Sequence, residues 1–180
     1  MRIGRFKKGS YGAVSVTAIP SLRGGEDLAD YIAQNYSGRV VEVGAGHVAH
    51  VALLLASRGL QVIPTDREER LLAGLKVEKD DIFSPRLELY RGAELIYSIR
   101  PPLEMQLAMG DLAVKVGADV LVRPLMDEVA VLPGFYRRLV NWREASFFLF
   151  IRDPSHDRDS SSRSRNPSNS RRRGLHLKKY

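Results

Sequence analysis

Ten residues constrain this chain most: Val40-Val41-Glu42-Val43-Gly44-Ala45-Gly46-His47-Val48-Ala49. Three β-branched residues interleaved with one carboxylate predict a short buried strand. Two glycines then break it, and the apolar run from Val48 to Ala56 predicts a helix. A strand that turns through Gly-x-Gly into a helix is the nucleotide-binding entrance of doubly wound α/β sheets. The glycines let a ligand approach the backbone amides, and the helix N-terminus offers unpaired N–H groups. A nucleotide-like ligand is predicted, without a choice of which.

The remaining periodicities build a sheet around that strand. Leu28, Tyr31, Ile32 and Tyr36 recur at helical spacing, with acids at the start and Gly38 past the end. Strands are predicted over 39–43, 61–65 ending on Asp66, 93–99, and 119–122 ending on Arg123. Asp80-Asp81-Ile82-Phe83 reads as a short further strand or its exit. Helices are predicted over about 47–58 closed by Gly59, over 67–75, and over 103–116 closed by Gly117. This alternation implies βαβ units, hence a three-layer Rossmann-like α/β domain with five parallel strands. The segments 139–142 and 146–151, joined at Arg143-Glu144-Ala145, predict a C-terminal antiparallel hairpin. Trp142, Phe147, Phe148 and Phe150 are assigned to its packing. The expected organisation is an extension over 1–24, the Rossmann-like domain over 25–151, and a disordered basic Ser/Arg-rich tail over 152–180.

The net charge of +7 needs locating before it is used. Residues 152–180 hold nine Lys and Arg against three Asp, and Arg2, Arg5, Lys7 and Lys8 crowd the first eight positions. The stretch from Gly9 to Ile151 is therefore slightly acidic. A basic tail can touch phosphate backbones without sequence preference, so weak nucleic-acid contact is expected there and not in the fold's own cleft. The chain has no cysteine, which excludes disulfides and thiolate metal sites. No apolar run approaches the ~18 residues of a membrane span, and no secretory core segment follows the N-terminal basic residues. A soluble cytoplasmic protein without membrane contact is expected.

Two ligand classes compete for the glycine loop. Gly44-x-Gly46-x-x-Ala49 fits the dinucleotide fingerprint, and Asp66 lies 20 residues past Gly46. Against an NAD-type ligand stands Glu42, whose charge would repel a diphosphate at this turn. S-adenosylmethionine has a cationic amine and sulfonium and no phosphate, so a carboxylate there attracts it. Glu42-x-Gly44-x-Gly46 resembles motif I of the class I methyltransferases. Asp66 resembles their ribose-binding acid, and Asp81-Ile82 the acidic–apolar pair along adenine. Val48 departs from that pattern, which commonly has a third glycine. His47 is placed at the ligand mouth beside Gly46. Tyr97 and Ser98 alternate on a strand, so one faces the cleft, and Ser98 is assigned there.

A closer resemblance follows. Residues 93–102 (Ala-Glu-Leu-Ile-Tyr-Ser-Ile-Arg-Pro-Pro), with Asp80-Asp81-Ile82-Phe83-Ser84-Pro85 before and Val122-Arg123-Pro124-Leu125 after, resemble an archaeal group, uncharacterised protein family 0146. That resemblance implies a methyltransferase-like Rossmann fold and assigns no activity. It covers roughly residues 26–150.

Arg100-Pro101-Pro102 stands where amino-methylating enzymes carry Asn-Pro-Pro-Tyr or Asp-Pro-Pro-Tyr. Arginine only donates, so methylation of a base amine is disfavoured and an anion is favoured. Arg123 ends the neighbouring strand, and Arg100, Pro101 and Arg123 are assigned to an anionic substrate. Structural salt bridges to Glu104 and to Asp127 or Glu128 are the competing reading of the two arginines. His47 and His50 sit three apart without a third ligand nearby, so no metal site is assigned. No catalytic residue is assigned either. A dinucleotide-binding protein and a non-enzymatic interaction domain remain the alternatives to a methyltransferase.

Overall fold

The computed structural model describes residues 22–126 and 128–153. Most of the expected extension and nearly all of the expected tail lie outside the described residues. The element order is α1 (Gly25–Asn35), β1 (Arg39–Val43), α2 (His50–Ser57), β2 (Gln61–Asp66), β3 (Arg70–Leu72), β4 (Leu75–Lys79) and α3 (Leu87–Tyr90). It continues with β5 (Ala93–Ile99), α4 (Leu103–Val116), β6 (Asp119–Arg123), β7 (Phe135–Trp142) and β8 (Ala145–Arg152). The strands form one sheet in the order β3-β4-β2-β1-β5-β6-β8-β7. Five central strands run parallel, β3 closes one edge antiparallel, and the β7–β8 hairpin closes the other.

The alternation of side chains along β1 divides the core. Val40 faces one layer with Leu28, Ile32, Val51, Leu55 and Tyr97, beneath α1 and α2. Val41 and Val43 face the other with Ile96, Met109, Leu112 and Val122, beneath α4. Leu28, Ala29 and Ile32 are fully buried, which explains why the three- and four-residue spacing reads so clearly. Each buried Leu or Ile contributes about 1.5–3 kcal/mol. Glu94 fixes the step from α1 into β1, its carboxylate accepting the Ser37 and Gly38 N–H groups at 3.0 and 2.9 Å.

The hairpin tip is tied to the start of α1. Arg143 donates to Asp27 and Asp30, and the Glu144 N–H donates to Asp27 at 3.1 Å. Gly24 passes so close that a Cβ there would meet the Glu144 carbonyl oxygen at 2.6 Å. The Arg23 carbonyl also accepts from Arg123 at the end of β6, at 2.6 Å, which holds this segment at the carboxyl end of that strand.

Two expectations need correction. The helix over 67–75 is instead the β3–β4 hairpin, turning at Ala73-Gly74 with φ of 47° and 86°. Glycine at the left-handed position and pairing of Leu71 with Lys76 outweigh the helical propensity of Glu-Glu-Arg-Leu-Leu. The helix after the glycine loop starts at His50, later than 47, because residues 44–49 form a longer connection ending on Ala49 at φ 37°. Asp80–Phe83 is the exit of β4.

Candidate functional site

The loop after β1 opens at the carboxyl end of the parallel strands, between two cavities that share Gly44. Gly44 and Gly46 both have positive φ, 70° and 61°. A Cβ on Gly46 would meet nothing within 4 Å, so this glycine faces open space.

The chain satisfies the loop's polar groups itself. Asp66 Oδ2 accepts the Gly46 N–H at 2.9 Å, and Arg70 donates to the Gly46 carbonyl at 2.5 Å and to Asp66 at 3.4 Å. Glu42 is 2 % exposed and takes the Tyr97 hydroxyl at 3.0 Å. The two are register partners on β1 and β5, which brings both to the α1–α2 face. Burial raises the Glu42 pKa from 4.5 to about 7, while the bonds from Tyr97 and from the Ala52 backbone N–H pull it down. Ala52 lies in the first turn of α2, so Glu42 engages a helix N-terminus. Burial, then the Glu42 charge, pushes the Tyr97 hydroxyl upward.

The first cavity, about 350 Å³, lies on the β2–β4 side, lined by Gly44, Asp66, Arg67, Asp81, Ile82 and Met105 among others. Asp80 and Asp81 divide the labour there. Asp80 is buried and accepts the Tyr90 hydroxyl at 2.5 Å and the Arg86 N–H at 2.9 Å. Asp81 is exposed, its carboxylate accepting the Phe83 N–H at 3.1 Å. Ile82, 8 % exposed, forms an apolar wall and Glu104 adds another acid.

The second cavity, about 310 Å³, lies on the α2 side, lined by Leu22, Glu42, Gly46, His47, His50 and Arg100 with their neighbours. His50 is 8 % exposed, and its Nδ1 has no hydrogen-bond partner. Arg100 is at φ 59°, its N–H donating to the Arg123 carbonyl at 2.7 Å. Arg123 pairs in register with Ile99, which lines the cavity. Its Nη2 donates to the Arg23 carbonyl at 2.6 Å, and its Nη1 is buried without a partner. Burial and the nearby Arg100 charge lower the Arg123 pKa. Among the described residues, neither arginine forms a salt bridge.

Glu42, Gly44, Gly46, His47, Asp66, Asp81, Ile82 and Arg100 thus all line one cavity or the other. Ser98, Pro101 and Arg123 line neither. Ser98 is fully buried and donates to the Val43 carbonyl at 2.6 Å, and the Pro101 carbonyl accepts from Gln106 at 3.1 Å. Sequence reasoning missed Arg70, hidden in the wrongly expected helix. Ser98 was assigned to the cleft in place of Tyr97, whose register with Glu42 depends on a pairing that shifts between Arg39 and Val40 and is visible only in the folded sheet. Among the described residues, no group of three or more His, Asp or Glu is placed to hold a metal ion. No helix among them is long and apolar enough to cross a membrane.

Comparison with known proteins follows from this geometry. Residues 26–152 match the model of an uncharacterised protein family, UPF0146. The chain belongs to that family. A relative from Archaeoglobus fulgidus is 46 % identical over 127 residues, covering 70 % of this chain and 94 % of its own length. Another, from Methanocaldococcus jannaschii, is 34 % identical over 129 residues, covering 69 % and 91 %. A solved structure of an S-adenosyl-L-methionine methyl transferase from Silicibacter pomeroyi superposes with a TM-score of 0.51 at 16 % identity, covering 71 % of this chain and 90 % of that one. The fold is that of the class I methyltransferases. UPF0146 itself has no assigned activity in its description.

Proposed function

We propose that this protein binds S-adenosylmethionine across the two cavities flanking Gly44 and methylates an anionic acceptor. One observation carries the choice of cofactor: the groups that would greet a diphosphate are already held by the chain's own carboxylates. Asp66 takes the Gly46 N–H at 2.9 Å, and Glu42 lies buried nearby with the Tyr97 hydroxyl on its carboxyl. A dinucleotide would have to displace Asp66 and then lie beside both acids. A cationic ligand has the opposite preference.

The residues fit such a cofactor. Asp66 and Asp81 offer acceptors to a ribose and an adenine edge, with Ile82 as an apolar wall. Gly46 leaves room for the amino-acid end, beside Glu42 and His47. When bound, S-adenosylmethionine would supply an electrophilic methyl carbon, to which an acceptor lone pair bonds as the S–C bond breaks and its electron pair leaves on the thioether sulfur. The chain's part is positioning: within the second cavity Glu42 attracts positive charge, and Arg100 with the nearby Arg123 attracts the acceptor's negative charge. The same reading puts the protein in the cytoplasm. The Arg-rich tail would add weak, salt-sensitive contact with nucleic acid, read by a salt titration of the full chain against one ending at Arg152.

Calorimetric titration with S-adenosylmethionine, its demethylated product and NADH tests the proposal. Saturable binding of the first two, lost in Glu42→Gln, is expected. Tight binding of NADH alone would overturn it, and silence toward all three would favour an interaction domain with a closed cleft.

A further inference from the structure

Arg100 lines the second cavity, and Arg123 on the neighbouring strand lies close enough to feel its charge, with no salt bridge to either among the described residues, an arrangement with clear costs. Arg123 is desolvated, repelled by Arg100, and left with an unpartnered Nη1. Arg100 holds a left-handed conformation directly before Pro101, where sterics disfavour both the αL region and any helical ψ. A third polar group, His50, is nine-tenths buried in the same wall with Nδ1 unpartnered. His50 Nδ1 would lie 2.9 Å from a Cβ on Gly25, so the absence of a side chain there is what admits the ring. Two unpartnered buried nitrogens, on α2 and β6, thus lie near the exposed Arg100 guanidinium at the β5 exit.

We propose that this cavity takes a small phosphate monoester, with Arg100 in contact with the dianion, Arg123 supplying the second positive charge, and His50 hydrogen-bonding from the inner wall. A carboxylate would neutralise one of the two arginines and leave the other desolvated. A phosphate dianion balances both, and its three oxygens can meet donors converging from separate elements. The cavity's volume of about 310 Å³ suits a small molecule better than a polymer end. Glu42 shares this cavity, but its carboxyl is engaged by Tyr97 and the Ala52 N–H. A cationic cofactor between Glu42 and the phosphate would give alternating charges. The acceptor role rests on the methyl-transfer reading above; the binding of the anion does not.

The test is titration of the full-length protein with inorganic phosphate, glycerol phosphate and acetate, followed by calorimetry and by the His50 ring resonances. The phosphates are expected to saturate at a concentration at least tenfold below acetate and to shift His50. Arg100→Gln, an exposed position, should weaken them at least tenfold, whereas Arg123→Lys, which keeps the charge, should weaken them less than Arg123→Met. The basic tail also attracts phosphate, so the difference between wild type and Arg100→Gln reads the cavity alone. Equal affinity for phosphate and acetate, or no change in Arg100→Gln, would overturn the proposal. If S-adenosylmethionine still binds in that case, the cofactor reading survives. If phosphate binds as expected and S-adenosylmethionine does not, the cofactor reading fails and this site stands.

Discussion

The two cavities beside Gly44 are built on opposite terms. On the β2–β4 side the carboxylates have partners within the chain: Asp66 on Gly46, Asp80 on Tyr90 and Arg86, Asp81 on Phe83. On the α2 side polar nitrogens are left over, with the Arg123 Nη1 donor and His50 Nδ1 both buried and unmatched. Satisfied acids make a rigid shell that can accept further hydrogen bonds without rearranging. Unsatisfied donors raise the free energy of the empty state, and an anion lowers it on arrival. The first cavity therefore reads as a preformed cofactor seat and the second as the side where the exchanged molecule enters. Glu42 lines the second cavity, two residues before the boundary at Gly44, and is the acid on the side of the unmatched nitrogens.

That boundary gives the largest expected effect. Glu42 titrates near 7 in the folded protein against 4.5 ordinarily, so the native state binds its proton more tightly. The resulting stability is fully present below about 4.5 and is lost as pH rises through about 7. Ionising this buried carboxyl costs on the order of 3 kcal/mol. Affinity for a cationic cofactor should move the other way, rising across the same window. Urea unfolding and calorimetry between pH 5 and 8 on wild type and Glu42→Gln read both slopes. The variant should flatten the stability slope and show no cofactor binding at any pH in this range. Identical slopes in the two proteins would mean that Glu42 does not divide the cleft.

Next in size is the clamp on the glycine loop. Asp66→Ala frees the Gly46 N–H and leaves Arg70, largely buried, with the Gly46 carbonyl and, as its ion pair, only the exposed Glu68. A loss of about 2 kcal/mol is expected, with at least tenfold weaker cofactor binding. Should the stability fall while binding holds, Asp66 only braces the loop and the first cavity loses its role as a seat. Gly44→Ala should cost about 1–2 kcal/mol through its left-handed backbone. The new Cβ would also stand 2.7 Å from Met105 Cε. That methyl can swing aside, so adding Met105→Ala should recover little in thermal unfolding.

Much of this was legible beforehand for a simple reason. Strands β1, β5 and β6 are buried on both faces, so Val40-Val41, Leu95-Ile96 and Val120-Leu121-Val122 declare themselves as unbroken apolar runs. The hairpin β3–β4 lies at an edge, with Leu71 70 % exposed, so its pattern is decided by a turn glycine and by pairing. The site was legible where a residue sits at a strand end, as Glu42, Asp66 and Arg100 do. It was not legible where the partner comes from another element. That Asp66 meets Gly46 and Arg70, or that His50 lies against Gly25, depends on how the layers close. Ser98 failed to reach a cavity because its face of β5 packs under Val43 and α4, while Tyr97 on the other face meets Glu42.

The smallest effect separates strain from function at the second cavity. Arg100 is at φ 59° before a proline, a conformation that glycine adopts without a Cβ penalty. Arg100→Gly should therefore be more stable than Arg100→Ala by about 1 kcal/mol, and close to wild type, in urea unfolding. Both variants lose the guanidinium, so both should lose anion binding alike. A chain that gains nothing in stability from carrying arginine there, and loses a ligand without it, is using the side chain for the ligand. Were Arg100→Gly instead as unstable as Arg100→Ala, the guanidinium would be supporting the fold, and the contrast between a satisfied and an unsatisfied side of the cleft would disappear.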